Sequence, residues 1–523
     1  MLDHPCSFLT RVACATTAFS FLFAVVAFAA NPVPTVTAPV HPQAVVPGSG
    51  AFTLTVYGAN FVSGAVVNWN GGPRSTTFVS ARELQAKILA ADVAKPTAGY
   101  ITVTNPAPGG GPSSSSYAIV EVHTPTKTVA PGQPISYPLG GDLIWFLTTG
   151  DFYNHHRPDL LAGGGTGNVY LMESKGDGTF PHTSVVGHGY FVARCNWPKS
   201  LAVGDFNNDG KLDYLFSAGV PQQTASIQVR LGNGKGKFQT SWRFGKYQGC
   251  PDFAVGDFNG DGNLDFAAVG PDFGVQIFLG NGDGTFQQGA TYDVVGPYSP
   301  LVADFNGDGK LDLVVDSTGP GLQILLGNGD GTFQNSLTIL PLREGHALSC
   351  GYGVPLVADD VNGDGKMDLA VCEHSLTNSW IDILLGNGDG TFQKPVYYHA
   401  GTTDCAWPFA TGDFNSDGNT DFIDWYCTNP PFKSHFATLL GKGNGTLQKQ
   451  TAVFLPGLIE DVGIVVGDWN SDGLLDFVMI PGAGGVRVYT QKRASFLVRG
   501  AGLRRRDRPL IAHCVISQCL LSR

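Results

Sequence analysis

The sequence predicts an all-β protein, a seven-bladed β-propeller preceded by a small β-sandwich. Three observations predict it. An Asp-rich nonapeptide recurs at near-constant spacing, a Gly-rich motif keeps the same spacing, and each interval contains short apolar runs separated by turn residues. Self-similarity at a fixed period marks a repeat architecture, and Asn-Gly and Asp-Gly turns between such runs mark hairpins.

The nonapeptide reads DFNGDGKLD from Asp304. Further intact copies are DFNNDGKLD from Asp205, DFNGDGNLD from Asp257, DVNGDGKMD from Asp360, DFNSDGNTD from Asp413 and DWNSDGLLD from Asp468. A divergent copy, DFYNHHRPD, starts at Asp151. The starts lie 54, 52, 47, 56, 53 and 55 residues apart. The second motif reads LGNGKGKFQ (231–239), LGNGDGTFQ (279–287, 326–334 and 385–393) and LGKGNGTLQ (440–448), with ESKGDGTFP (173–181) as its divergent first copy. In the fourth repeat, PLVAD (300–304), LDLVV (311–315), LQILLG (322–327) and SLTIL (336–340) supply four strands. Four short strands per unit, seven times over, fit a propeller, whereas stacked sandwiches need larger units. The seventh repeat has runs at 463–468, 475–480 and 485–490 but no clear fourth. A strand near 126–137 is expected to close the ring.

The flanking segments read differently. Residues 1–29 carry Arg11 ahead of an apolar stretch ending Ala27-Phe28-Ala29, the pattern of an export signal. Residues 31–50 are rich in Pro, Val and Gly and read as a linker. Alternating runs follow (FTLTVYG, AVVNWNG, ELQAKILA, GYITVTN and SYAIVEV), which predict the sandwich. Residues 123–140 join it to the repeats, and 491–523 read as a disordered basic tail. That tail has eight Lys or Arg against one Asp, so the net charge of −11 leaves −18 on the remainder. Six calcium ions would bring this to about −6, so the acidity reads as metal sites rather than as a field for basic partners. No basic stripe with interleaved aromatics points to nucleic acid. No apolar run after the signal reaches membrane-spanning length, and a monomer is expected.

Within DFNGDGKLD, side-chain oxygens fall at positions one, three, five and nine. Calcium takes six to eight oxygens in loose geometry, and an alternating loop bent at a Gly can wrap one. An EF-hand needs Glu at position twelve and flanking helices. Position twelve here is Phe216, Ala268, Val315 or Val371, inside a predicted strand.

Two resemblances follow. GANFVSGAVVNWNG with YITVTNPAPGGG resembles IPT/TIG domains, the Ig-like modules of exported and cell-surface proteins, over 33–122. DFNGDGKLDL with LGNGDGTFQ resembles FG-GAP/VCBS repeats, as in integrin α propellers and many secreted bacterial proteins, over 141–490. The second resemblance implies up to six structural calcium ions. Its implied ligands are Asp205, Asn207, Asp209 and Asp213; Asp257, Asn259, Asp261 and Asp265; and Asp304, Asn306, Asp308 and Asp312. They continue with Asp360, Asn362, Asp364 and Asp368; Asp413, Asn415, Asp417 and Asp421; and Asp468, Asn470, Asp472 and Asp476. In the first repeat Tyr153 and His155 replace two ligands, so no calcium is expected there.

The loops at the opposite ends of the repeats vary far more, and binding commonly lives on loops carried by a rigid scaffold. Trp197, Tyr247, His346, Tyr352, His374, Trp380, Trp407 and Trp425 are the ligand-face candidates, suited to a glycan or an extracellular protein. Cys195, Cys250, Cys350, Cys372, Cys405 and Cys427 lie in the same loops, and export permits disulfides. Pairing Cys350 with Cys372 and Cys405 with Cys427 would tie loops of one repeat, and Cys195 with Cys250 would tie neighbours. Six cysteines allow 15 connectivities. No nucleophile elbow, zinc-protease or phosphate-loop motif occurs. The expectation is therefore a secreted or cell-surface recognition or adhesion protein without catalysis. A carbohydrate-active enzyme on the same scaffold is the alternative.

Overall fold

The computed structural model describes residues 30–492, apart from 114–117, 127–128, 130, 156, 189–200, 219–224, 248–250, 318–320, 342–355, 375–378, 402–405, 429–432, 449–450, 455–460 and 482–483. Among the described residues the only helical element is a 3-10 turn, Leu139–Gly141. Among these residues the strands form two sheets in an N-terminal module and seven four-stranded sheets after it.

In the module, Thr35–His41, Phe52–Ala59, Glu83–Ile88 and Ser75–Ser80 form one sheet. Ala44–Val45, Ala118–Val122, Thr97–Asn105 and Val66–Trp69 form the body of the other. Successive side chains of a strand point to opposite faces, so the alternating runs send every second residue inward. Leu54, Val56, Leu84 and Ala86 thus meet Val67, Trp69, Ile101, Val103, Val120 and Val122 in one buried cluster. Gly99 makes room for Trp69, since a Cβ there would lie 2.3 Å from the indole ring.

Composition alone misreads residues 31–50. Thr35–His41 pairs antiparallel with Phe52–Ala59, slipping register between Thr37 and His41. The slip spans Pro39, which has no N–H to give the ladder. Ala44–Val45 adds in parallel to Ala118–Val122. The segment is therefore part of the sandwich rather than a linker.

Six of the later sheets each come from one repeat. In the fourth, Pro297–Ala303, Asp312–Ser317, Gly321–Leu325 and Leu337–Pro341 follow one another in space as in sequence. The second strand is buried along its whole length, so its alternation vanishes and it reads as an apolar run. First strands pack on first strands: Ile144–Gly150 contacts both Leu201–Gly204 and Asp461–Gly467, so the row of sheets returns on itself. Ile135–Tyr137, from ahead of the first repeat, pairs with Val486–Tyr489 and supplies the fourth strand of the seventh sheet.

The shared period of the two motifs has a physical cause. The aromatic at position two of one Asp hairpin packs against the aromatic of the next repeat's Gly-rich turn. Phe206 meets Phe286 at 5.6 Å, Phe258 meets Phe333 at 5.4 Å and Phe305 meets Phe392 at 6.0 Å between ring centroids. The backbone repeats the link, since Gly284 N–H donates to the Phe206 carbonyl at 2.9 Å and Gly331 N–H to that of Phe258 at 2.9 Å. The same bond crosses the join between last and first repeats, from Gly178 to Trp469 at 2.8 Å.

Candidate metal centre

The six intact hairpins share one hydrogen-bonding scheme. At position one, Asp304 Oδ1 accepts the Asp308 N–H at 3.1 Å and Oδ2 accepts the Gly309 N–H at 2.8 Å. Asn306 Oδ1 accepts the Asp308 N–H at 2.9 Å, and Asp308 Oδ1 accepts the Lys310 N–H at 2.9 Å. Each side chain thus caps the backbone two or more residues on, and this coils the loop with its oxygens converging. Gly309, at φ +86, makes the bend that a Cβ would oppose. The scheme recurs at Asp205, Asp257, Asp360, Asp413 and Asp468, each of which accepts the N–H of the residue four places on.

Position nine does more than its spacing suggests. Asp312 is fully buried; its Oδ2 accepts the N–H groups of Phe305 and Asn306, and its Oδ1 accepts that of Gly327. It pins the start of the hairpin and the far end of the third strand to one carboxylate. Asp213, Asp265, Asp368 and Asp476 are pinned in the same way, each by two backbone donors. Asp421 takes the N–H of Gly441.

Burial dominates the electrostatics. It pushes the carboxyls of Asp213, Asp312 and Asp368 up to about 7 and those of Asp265 and Asp476 up to about 8. Asp421 is raised for the same reason. At position one, Asp257 rises to about 6, and Asp413 and Asp468 rise to about 7. In each hairpin the like charge at position one adds to the rise at position nine, as Asp304 does for Asp312. A divalent cation would remove both the repulsion and the desolvation cost. The donor set is all oxygen and largely carboxylate, so it fits a hard ion such as calcium.

The first hairpin keeps the frame and changes the contents. Asp151 Oδ1 accepts the His155 N–H at 2.9 Å, and Asp159 Oδ2 accepts the Phe152 N–H at 3.0 Å. Between the carboxylates lies the His155 ring, with Nδ1 3.2 Å from Asp151 and Nε2 3.1 Å from Asp159. Tyr153 stacks on that ring. The imidazole bridges positions one and nine, where an ion would sit in the other loops. Restoring the common set with Tyr153→Asn, His155→Asp and His156→Gly should add one calcium per chain. Calorimetric stoichiometry of the triple variant against the parent checks this.

The other sequence-predicted residues are unevenly placed. Trp197, His346, Tyr352, Cys195, Cys250, Cys350 and Cys405 lie outside the described residues. Tyr247 is buried, packs on Phe273 and donates to Gln276 at 3.0 Å, so it faces the core. Trp380 approaches His399 edge-on at 6.1 Å and pairs with Glu373, next to His374. Trp407 and Trp425 stand opposite each other in adjacent strands. Cys372 is buried opposite Ile381, and Cys427 is paired with Ser434. These strand ends lie away from the Asp hairpins, because a first strand runs into its hairpin and a second strand runs out of it. Sequence reasoning missed Arg82, His41 and Glu121, which reach the hairpins from the N-terminal module. The one available signal was Glu121, a lone charge inside the apolar run AIVEV.

A family model described as FG-GAP-like repeat matches residues 151–216, 215–268, 257–315 and 360–423. Matches in four places support a repeat protein with a β-propeller-like fold. No curated protein matches the chain. Similar solved structures include an Agrocybe aegerita lectin that recognises non-reducing terminal N-acetylglucosamine, with 16% identity, 80% of this chain and 100% of that chain covered, and TM-score 0.41. BBS1N in complex with ARL6DN has 9% identity, 70% and 98% coverage and TM-score 0.45. An auxiliary nutrient binding protein from Bacteroides thetaiotaomicron has 11% identity, 88% and 99% coverage and TM-score 0.39. Likeness at this level assigns no ligand to this chain. Among the described residues no helix is long and apolar enough to cross a membrane.

Proposed function

We propose that the chain is an exported recognition or adhesion module. In this reading an Ig-like domain precedes a seven-bladed propeller, each intact hairpin holds one structural calcium, and the ligand is a glycan or an extracellular protein. The observation that carries it is the six-fold repetition of one all-oxygen loop, its position-nine carboxylate buried each time, on a closed row of four-stranded sheets. A catalytic metal would need an open coordination position and some specialisation among sites, whereas these hairpins repeat one scheme. The metal's role is then to hold a tight, like-charged turn in shape. Recognition falls to the variable ends of the sheets, where Trp380, Trp407 and Trp425 lie on a frame fixed from the other side.

Depletion of a panel of cell-wall and plant polysaccharides by the mature protein in calcium, with EDTA as control, tests this. Specific depletion that EDTA abolishes is the expected result. Conversion of a polysaccharide to new products would replace the reading with an enzymatic one.

A further inference from the structure

The N-terminal module does not hang from the repeats; it sits on their Asp hairpins. Val33 N–H donates to Asp257 Oδ2 at 2.8 Å, and Asn60 Nδ2 donates to the Asp257 carbonyl at 3.0 Å. Arg82 Nε lies 2.9 Å from Asp304 Oδ2, and Arg82 Nη1 donates to the Gly307 carbonyl at 3.0 Å. His41 Nε2 lies 3.3 Å from Asp360 Oδ2. The Tyr100 hydroxyl donates to the Asp468 carbonyl at 2.8 Å. Glu121 is buried between the sixth and seventh hairpins, accepting from the Ser416 hydroxyl and from the Leu475 N–H at 3.1 Å. Five consecutive hairpins, the third to the seventh, are thus touched at their own loop atoms.

Two features make this seat depend on loop shape and loop charge. The contacts go to position-one carboxylates, to carbonyls of the turns and, at Glu121, to the Ser416 hydroxyl and the Leu475 N–H, so a hairpin that splays takes its contacts with it. The backbone approach is also close. A Cβ at Gly262 would lie 2.3 Å from the Asn31 carbonyl oxygen, and one at Gly473 would lie 2.5 Å from that of Thr97. The charges divide. Arg82 and His41 bring positive or proton-donating groups to Asp304 and Asp360. Glu121 brings a further carboxyl beside Asp413 and Asp468, and burial there disfavours its charge unless positive charge fills those loops.

We propose that the N-terminal module is a metal-coupled cap, seated on the hairpin face while the loops carry divalent cations and released when they are emptied. At the sixth and seventh loops the coupling runs through the Ser416 and Leu475 contacts to Glu121, which hold only while those turns keep their shape. Arg82 lowers the requirement for metal at the fourth. The cap closes the hairpin face to other partners and leaves recognition to the opposite face. This inference rests on the reading of the hairpins as calcium sites.

Hydrogen exchange of the full chain in calcium and in EDTA tests it. The interface reporters are the amides of Val33, Asn60 and Leu475. Leu54 and Val56 report the module's own sheet, and Phe266 and Leu313 report the repeats. On chelation the interface amides should exchange on the order of a hundredfold faster, the upper range of coupling between sites, while the internal amides stay protected. Arg82→Ala should raise the calcium concentration needed for protection. Interface protection that survives EDTA in a chain shown to bind calcium overturns the cap and leaves the calcium reading intact. Loss of interface and internal protection together overturns it too, because release is then only unfolding. A chain with no calorimetric calcium binding removes the calcium reading itself, and the cap with it.

Discussion

Chelating calcium at pH 8 should lower the melting temperature by roughly 20 °C or more, and acidifying the chelated protein toward pH 5 should recover part of that loss. A ligand at a hundred times its dissociation constant stabilises by about 2.7 kcal/mol, so six such loops amount to on the order of 15 kcal/mol, the stability of a whole domain. The acid recovery follows from the buried carboxyls. Those of Asp213, Asp312 and Asp368 sit at about 7, and those of Asp265 and Asp476 at about 8. An unfolded aspartate titrates near ~3.9. Between these values the metal-free folded chain binds more protons than the unfolded chain. The contribution of these carboxyls is therefore greatest below about pH 4 and is lost as pH rises through 7 to 8. With calcium the sign reverses, because protons then compete with the ion for the same oxygens. Melting curves at pH 5 and pH 8, with calcium and with EDTA, give the four values. Identical curves with and without EDTA at pH 8 would exclude a structural metal in these hairpins.

Much of the architecture was legible because its causes are local. An oxygen-bearing side chain at every second position, a Gly at the bend and an apolar run after position nine specify a capped hairpin that enters a buried strand. Repetition turned a weak motif into a strong one. The second motif was legible as a repeat but not as a contact. That Phe206 packs on Phe286 is a relation between neighbouring repeats, which spacing alone does not reveal. Thr35–His41 was hidden by Pro39, whose composition signal says linker while the flanking backbone pairs around it. The seat of the module was not legible at all. Val33 and Asp257 are 224 residues apart and Ser416 is 295 from Glu121, and nothing local in Arg82, His41 or Glu121 marks the partner. The first hairpin was legible as damaged. That His155 lies between both carboxylates required the geometry.

Asp312→Ala should destabilise the fourth repeat by about 3–5 kcal/mol, in calcium and in EDTA alike. Spacing casts Asp312 as one metal ligand among four, and on that basis alone its loss would matter only when the ion is present. The structure gives it a second task. Its two oxygens accept from Phe305, Asn306 and Gly327, joining the hairpin to the end of the third strand in a fully buried place. Alanine leaves those three N–H groups without their acceptor where water does not reach, at about 1–3 kcal/mol each, partly offset by relaxation and by removal of a buried charge. Asp283, in the Gly-rich turn of the third repeat, is the contrast. It caps Thr285 through its N–H at 3.0 Å and its hydroxyl at 2.5 Å, but it stands in solvent. Asp283→Ala should cost less than about 1 kcal/mol, because water replaces the lost acceptor. Denaturant unfolding of both variants, with calcium and with EDTA, separates the roles. A loss in Asp312→Ala that appears only with calcium would reduce that residue to a ligand. A loss of similar size in both conditions makes the position-nine aspartate the pin that shapes the hairpin before any ion arrives. The recurrence of Asp159 in the first repeat, where His155 has taken the middle of the loop, then has its explanation, since it takes the N–H groups of Phe152 and Ser174 in the same way.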